Sequence, residues 1–166
     1  MKRVLLLFIM IVALVSISGC SASSSSSQQS SSSSGLSKQE VIEIDEYVHS
    51  QEVVALHDCI SDSIDGLADL VAAGDSLELH SRFLDLAIAI NDVEKIDVPD
   101  ICSGLHDTLL QEARCLSLAL SNLANVAELG LGASSDEYEE ASRFLKLANQ
   151  YADEYNDEFN RLAEMM

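Results

Sequence analysis

Residues 134–166 read SSDEYEEASRFLKLANQYADEYNDEFNRLAEMM, and this stretch decides the fold class. Its apolar side chains recur in alternating steps of three and four residues, the spacing that places them on one face of a helix. Ser134 and Glu137 have the spacing of a capping box at the start of such a helix. The stretch therefore predicts a long amphipathic helix over about residues 135–165. The apolar face comprises Tyr138, Ala141, Leu145, Ala148, Ala152, Tyr155, Phe159, Leu162 and Met166.

Three further segments have helical periodicity, and strand-like alternation is absent from the sequence. We predict helices over about residues 38–73, 76–95 and 99–129, the first with a capping box at Ser37 and Glu40. Short connections make consecutive helices antiparallel neighbours. The sequence therefore predicts an all-α domain over residues 37–166, an antiparallel up-down-up-down four-helix bundle. The apolar faces of the first and third helices comprise Val53, Leu56, Ile60, Ile64, Leu67 and Val71, and Leu109, Ala113, Leu116, Leu120, Leu123 and Ala127.

Two parts of this domain resemble each other. Residues 59–74 align with 115–130, and residues 75–87 align with 136–148 after a five-residue insertion. Thirteen of the 29 aligned positions are identical, including the cysteine that opens each segment and an Arg-Phe pair. Amphipathic helices do not require those identities, so the sequence favours an internal repeat of two duplicated αα-hairpins.

The N-terminus has the pattern of an export signal. Lys2 and Arg3 precede an apolar run of 14 residues, which is too short to span a bilayer core of about 20 residues. The run closes on Ile17-Ser18-Gly19-Cys20. This stretch resembles the lipobox of bacterial lipoprotein signal peptides. The resemblance implies that residues 1–19 are removed and that Cys20 becomes the lipidated (palmitate-bearing) first residue.

The lipobox resemblance, which covers only the first 20 residues, also implies a location. Two acyl chains are enough for stable membrane attachment. We therefore expect attachment to the cell membrane on its extracytoplasmic face, or to the outer membrane if the source has two membranes. Residues 20–36 continue as a Ser-rich stretch, which we predict to be a flexible tether between the anchor and the bundle.

The composition excludes one class of partner. Without Lys2 and Arg3 the chain has seven basic and 28 acidic residues, a formal charge of −21. Nucleic-acid binding requires a basic surface, so we expect no nucleic-acid partner. An acidic surface fits either a solvated face or a basic partner.

Candidate chemical sites are few. We expect Cys59, Cys102 and Cys115 to be structural thiols, without a bridge between Cys59 and Cys115. Glu46 and His49 have the Glu-x-x-His spacing of bundle metal sites, but the second such motif that those sites need is missing. They are weak metal candidates, and we expect no catalytic residues and no bound cofactor.

The predicted second helix is apolar over an unusually wide arc. Such width indicates a surface for a protein partner or a second copy of the chain, although fuller burial by the first helix would also account for it. We therefore predict a non-enzymatic, lipid-anchored protein-interaction module of uncharacterised specific role, with a metal- or cofactor-binding bundle as the alternative. The candidate interaction residues are Phe83, Leu84, Leu86, Ile88 and Ile90.

Overall fold

The computed structural model describes residues 35–166. The predicted signal segment, the lipidation site Cys20 and most of the predicted tether lie outside the described residues. The described residues form one compact unit.

The described part of the chain is all-α, which confirms the predicted class. About 83% of its residues are helical, and residues 35–166 include no strand. None of the helices in this part of the chain is long and apolar enough to cross a bilayer. The helices are α1 (Lys38–Val48), α2 (Gln51–Ile64), α3 (Leu67–Ala73), α4 (Ser76–Val93), α5 (Ser103–Leu129) and α6 (Asp136–Met165), with a 3-10 turn at Asp100–Cys102 before α5.

The prediction of one continuous helix over residues 38–73 is wrong, because the backbone leaves the helical conformation twice. Ser50 is extended (φ −61°, ψ 146°), and its hydroxyl donates to the carbonyl of Tyr47 at 2.9 Å. Asp65 is also extended, and Gly66 adopts the left-handed conformation (φ 65°). Only glycine adopts that conformation readily, so Gly66 turns the chain between α2 and α3.

The helix caps agree with the sequence at two starts and differ at one. At α1, the Ser37 hydroxyl accepts from the Glu40 N–H at 3.2 Å, while the Glu40 carboxylate accepts from the Ser37 N–H at 2.8 Å. At α4, the Asp75 carboxylate accepts from the Glu78 N–H at 3.1 Å, the contact expected of an aspartate that precedes a helix. At α6 the cap is Ser135, one residue after the predicted Ser134. These side chains satisfy N–H groups that have no partner within the helix.

The core is built around α5, which packs against both α4 and α6, while α2 packs against α4. Ile64 of the predicted first-helix face is 48% exposed, because the turn at Gly66 ends α2 beside it. The largest fully buried side chains come from four of the six helices and the 3-10 turn: Val53, Leu56, Leu79, Leu86, Val93, Cys102, Leu105, Leu109, Leu116, Leu120 and Leu162.

The predicted repeat has one clear structural counterpart. Gly74 and Gly130 end the aligned segments in the same left-handed conformation (φ 67° and 62°). In each case the N–H of the residue after the glycine donates to the carbonyl five residues earlier, at 3.1 and 2.9 Å. Both helices therefore end in a Schellman motif.

The second helices of the aligned segments turn different faces to the core. Leu84 is 57% exposed, whereas the aligned Leu145 packs against the core. Leu86 is fully buried, whereas the aligned Leu147 is half-buried. The shared sequence motif of α4 and α6 thus serves two different packing arrangements.

Candidate functional site: an apolar cleft at one end of the domain

A cleft of about 890 Å³ lies at the end of the domain where α5 finishes and α6 begins. Its floor and walls come from three helices: α3, the last turns of α5 and the first turns of α6. The volume lies within the range of small-molecule and cofactor sites, about 300–1,000 Å³. Its principal apolar side chains are Leu67 and Val71 of α3, Leu116, Leu123 and Val126 of α5, and Tyr138 and Leu145 of α6.

The side chains that line the cleft are mostly apolar. Among residues 35–166, no charged side chain lines the cleft, and the polar groups of its lining side chains are those of Ser142, Asn149 and Tyr138. Small residues, including Ala68, Ala72 and Ala73 along α3, leave the space unfilled. An open apolar surface of this kind favours a ligand that buries hydrocarbon.

The α3 wall is attached more weakly than the other two. None of its seven residues is buried. A left-handed glycine stands at each end, Gly66 and Gly74, and neither has an atom within 4 Å of the position a Cβ would take. A segment with few buried contacts opens at low free-energy cost. The geometry therefore allows α3 to move between its two glycines while α5 and α6 stay in place.

Arg82 stabilises the chain immediately before α3. From α4, its Nη1 donates to the backbone carbonyls of Asp62 at 2.7 Å and Asp65 at 2.6 Å. Its Nε also pairs with the Glu78 carboxylate at 3.0 Å. Carbonyls at a helix end carry partial negative charge, and a cation there stabilises them. Arg82 thus compensates for the interruption between α2 and α3.

A second feature, away from the cleft, is a pair of partly buried tyrosine–histidine contacts. His57 Nε2 lies 3.2 Å from Tyr155 Oη, and His106 Nδ1 lies 3.3 Å from Tyr47 Oη. Burial lowers the pKa of both imidazoles and raises the pKa of both phenols. All four groups therefore favour their neutral forms, and each phenol O–H can donate to its imidazole.

Glu112 is a carboxylate within the core. The residue is 9% exposed, on α5, and desolvation raises its pKa to about 7. The proximity of its charge also raises the pKa of Tyr155. A buried carboxylic acid resists ionisation because the charged form loses hydration. Glu112 is the core group whose charge changes near neutral pH.

The three cysteines of the described chain carry free thiols. Cys102 is fully buried, and burial raises its pKa to about 11. Burial also raises the pKa of Cys59 and Cys115. A raised thiol pKa lowers the thiolate fraction and hence the nucleophilicity. The thiols therefore have the properties of packing groups, the role expected from the sequence.

The predicted metal candidates lie at the end of α1. Glu46 and His49 are both exposed, and His49 Nδ1 lies 3.3 Å from the Asp45 carboxylate. Across residues 35–166, no group of three or more His, Cys, Asp or Glu side chains is placed to hold a metal ion.

The predicted interaction surface on α4 requires correction. Leu86 and Ile90 lie in the core, and Phe83 packs partly against it, because this face of α4 covers α2 and α5. Leu84 and Ile88 remain exposed, at 57% and 60%. The apolar width of this helix thus combines a core face with a narrow outer stripe, and only the stripe is available to a partner.

A smaller cleft of about 360 Å³ lies between α2 and α4. Its lining includes Glu52, Asp92 and Lys95, and Lys95 pairs with Asp92 at 3.2 Å. Its polar lining makes it a weaker candidate than the apolar cleft.

Sequence reasoning missed the apolar cleft. The available signal was Gly66, a glycine inside a helical pattern, followed by a segment ending in Ala72-Ala73-Gly74. A break followed by small residues indicates a helix that cannot fill the space beside it.

Compared with known proteins, the chain matches no family model, no curated protein and no solved structure.

Proposed function

We propose that this chain is a lipid-anchored, extracytoplasmic protein-interaction module that binds an apolar segment of another protein in the cleft formed by α3, α5 and α6. It performs this role without enzymatic chemistry. The observation that carries the proposal is the 890 Å³ cleft, which is lined mostly by apolar side chains and bounded by one weakly attached helix. The lipobox resemblance at Cys20 supports the anchor.

The point where the predicted tether joins the domain supports a cleft that faces away from the membrane. The Leu36 N–H donates to the Met165 carbonyl at 3.1 Å, so the chain enters the domain beside the end of α6. Tyr138 of the cleft is about 40 Å away along α6, at 1.5 Å per residue. A tether that ends at Leu36 leaves the cleft at the far end of the domain and open to a partner.

We also propose an arrangement of the helices and an origin for it. We treat α1–α3 together as the first of four helical segments, followed by α4, α5 and α6 in an up-down-up-down bundle. The matching Schellman motifs at Gly74 and Gly130 support an origin by duplication of an αα-hairpin. The different faces that α4 and α6 turn to the core then reflect divergence after duplication.

Fatty-acid labelling in cells tests the anchor. The unaltered chain should incorporate a labelled fatty acid and fractionate with membranes, while Cys20→Ala should incorporate none. Labelling that persists in Cys20→Ala would exclude Cys20 as the lipidation site.

Photocrosslinking in the native cell tests the cleft. A photoreactive residue at Ala72, which lines the cleft, should give a discrete protein adduct. The same residue at the exposed Asn160, near the other end of α6, should not. Adding Asn149→Trp, which places a bulky side chain in the lining of the cleft, should remove the Ala72 adduct. Equal adducts from both sites, or an adduct unaffected by Asn149→Trp, would contradict the proposal.

A further inference from the structure

The shape of the cleft selects the secondary structure of its occupant. Three helices line it: α5 as the floor, with α3 and α6 at the sides. A trough between helices accepts the apolar face of a further helix, through contacts spaced by three and four residues. Along α6 the lining runs from Tyr138 to Asn149, about 17 Å or three helical turns.

The charge around the cleft indicates the sign of the charge on that helix. The segments that build it, residues 64–75 and 116–149, carry eight acidic and two basic residues. One of the two basic residues, Arg143, pairs with Glu140 at 3.3 Å and stacks over the ring of Phe144. The charged groups are Asp65, Asp69, Asp75, Glu128, Asp136, Glu137, Glu139 and Glu140, against Arg143 and Lys146.

This charge distribution also favours a helix over a lipid as the occupant of the cleft. A fatty acid or phospholipid brings an anionic head, and none of the described residues that line the cleft is basic and able to pair with it. A basic helix instead places its charges against the acidic rim while its apolar face enters the cleft. Complementary charge of this kind raises both association rate and specificity.

From these observations we infer that the occupant of the cleft is a basic amphipathic helix of a partner protein, held between α3 and α6 with its apolar face on α5. The inference rests on the proposed function and names the partner's chemistry. The α3 segment, hinged at Gly66 and Gly74, moves outward to admit the helix. The carbonyl contacts of Arg82 hold the end of α2 while it does so.

The test measures binding of three probes to the full chain in a nonionic detergent. The probes are an amphipathic Leu/Lys peptide of about four helical turns, a Leu/Glu peptide of the same length, and palmitate. Binding lost in Asn149→Trp defines the cleft-bound fraction and subtracts association with micelles. The Leu/Lys peptide should bind in the cleft, and the other two probes should not displace it.

Charge reversal provides the matched control. Asp69→Lys with Glu128→Lys reverses two exposed charges that neighbour cleft residues, and should weaken Leu/Lys binding about fivefold at low salt. Asp153→Lys with Asp157→Lys makes the same change in net charge towards the other end of α6. It should leave the affinity within about twofold.

The outcomes separate the inference from the proposed function. Equal cleft binding of both peptides, or equal effects of the two double reversals, would overturn the basic helix but leave a protein-binding cleft. Cleft binding of palmitate alone would overturn both and identify a lipid site. If no probe binds in the cleft, the inference fails, and the Ala72 crosslink then decides the proposed function by itself.

Discussion

The guanidinium of Arg82, on α4, donates from Nη1 to the backbone carbonyl of Asp65 at 2.6 Å, across the break between α2 and α3. The aligned arginine of the repeat, Arg143, makes no such contact and instead pairs with Glu140 on the surface of α6. The difference follows from the backbone, because α5 continues unbroken through the positions where α2 ends and α3 begins. The arginine that the two aligned segments share therefore contacts backbone carbonyls at Arg82 and a surface carboxylate at Arg143.

Replacing Arg82 should destabilise the domain locally and globally. Arg82→Met removes charge-assisted bonds to the α2 carbonyls and should lower the free energy of unfolding by about 2 kcal/mol. Urea denaturation measures this, and hydrogen exchange should show faster opening of residues 62–75. Arg143→Met is the matched control and should cost less than about 0.5 kcal/mol, because its ion pair is exposed. Equal losses would show that the carbonyl contacts contribute little.

Gly66 should be intolerant of a side chain for backbone reasons alone. A Cβ at Gly66 would meet no atom within 4 Å, but the residue has φ +65°. Gly66→Ala should therefore lower the free energy of unfolding by about 1 kcal/mol, through left-handed strain and not a clash. Gly132→Ala provides the control, since Gly132 has equal space and no positive φ. Thermal unfolding of the two variants measures the difference, and a similar Tm would contradict this explanation.

Glu112 should make stability fall as the pH rises. Its pKa is about 7 in the folded chain against an ordinary 4.5, so the folded state holds the proton more tightly than the unfolded state. Ionisation of Glu112 lowers the free energy of unfolding by nothing below pH 4.5 and by an amount that grows between pH 4.5 and about 7. Above that pH the loss levels at about 3 kcal/mol. His57 and His106, whose pKa values are lowered, act in the opposite sense by penalising low pH.

Comparison with a neutral variant isolates the Glu112 contribution. Glu112→Gln should be the more stable protein above pH 7, and the difference from the unaltered chain should vanish near pH 4.5. Glu128→Gln removes an exposed glutamate from the same helix and provides the matched control for the substitution itself. Denaturant titrations across the pH window measure both. A Glu112→Gln difference that stayed constant with pH would rule out the raised pKa.

The hydroxyl of Tyr155 should contribute through His57. Tyr155→Phe removes the group 3.2 Å from His57 Nε2 and leaves a buried imidazole nitrogen without that partner, which should cost about 1–2 kcal/mol. Tyr151→Phe, four residues earlier on α6, removes a hydroxyl that no residue of the described chain contacts by hydrogen bond. Its cost should stay within about 0.5 kcal/mol by urea denaturation. The contact with His57 would carry no stability if both changes had the same effect.

The helical class and the core positions of α5 could be predicted because periodicity and capping act locally. Leu109, Leu116 and Leu120 are buried as their spacing requires. The break at Gly66 could not be placed with the same assurance, because a helix can absorb a glycine at a cost of about 1 kcal/mol. Whether it does so depends on tertiary contacts, here those of Arg82.

The cleft depends on distant segments and was not predictable from any one of them. Val71 and Leu145 belong to separate apolar stripes that the sequence assigns to a filled core, and both pack against the core on one side while lining open space on the other. On α4, the sequence alone could not predict that Leu86 and Leu84 differ in burial, since both are leucines on one wide apolar arc. Packing decides that Leu86 is buried and Leu84 is exposed.

The thiols of Cys59, Cys102 and Cys115 lie at three different depths, half-buried, fully buried and 9% exposed. Their rates of modification therefore report how far the domain opens. A thiol reagent should modify Cys59 fastest, through local fluctuations of α2, whereas modification of Cys102 requires the core to open. The ratio of those two rates, followed by mass spectrometry, separates partial from complete unfolding without adding a probe to the chain.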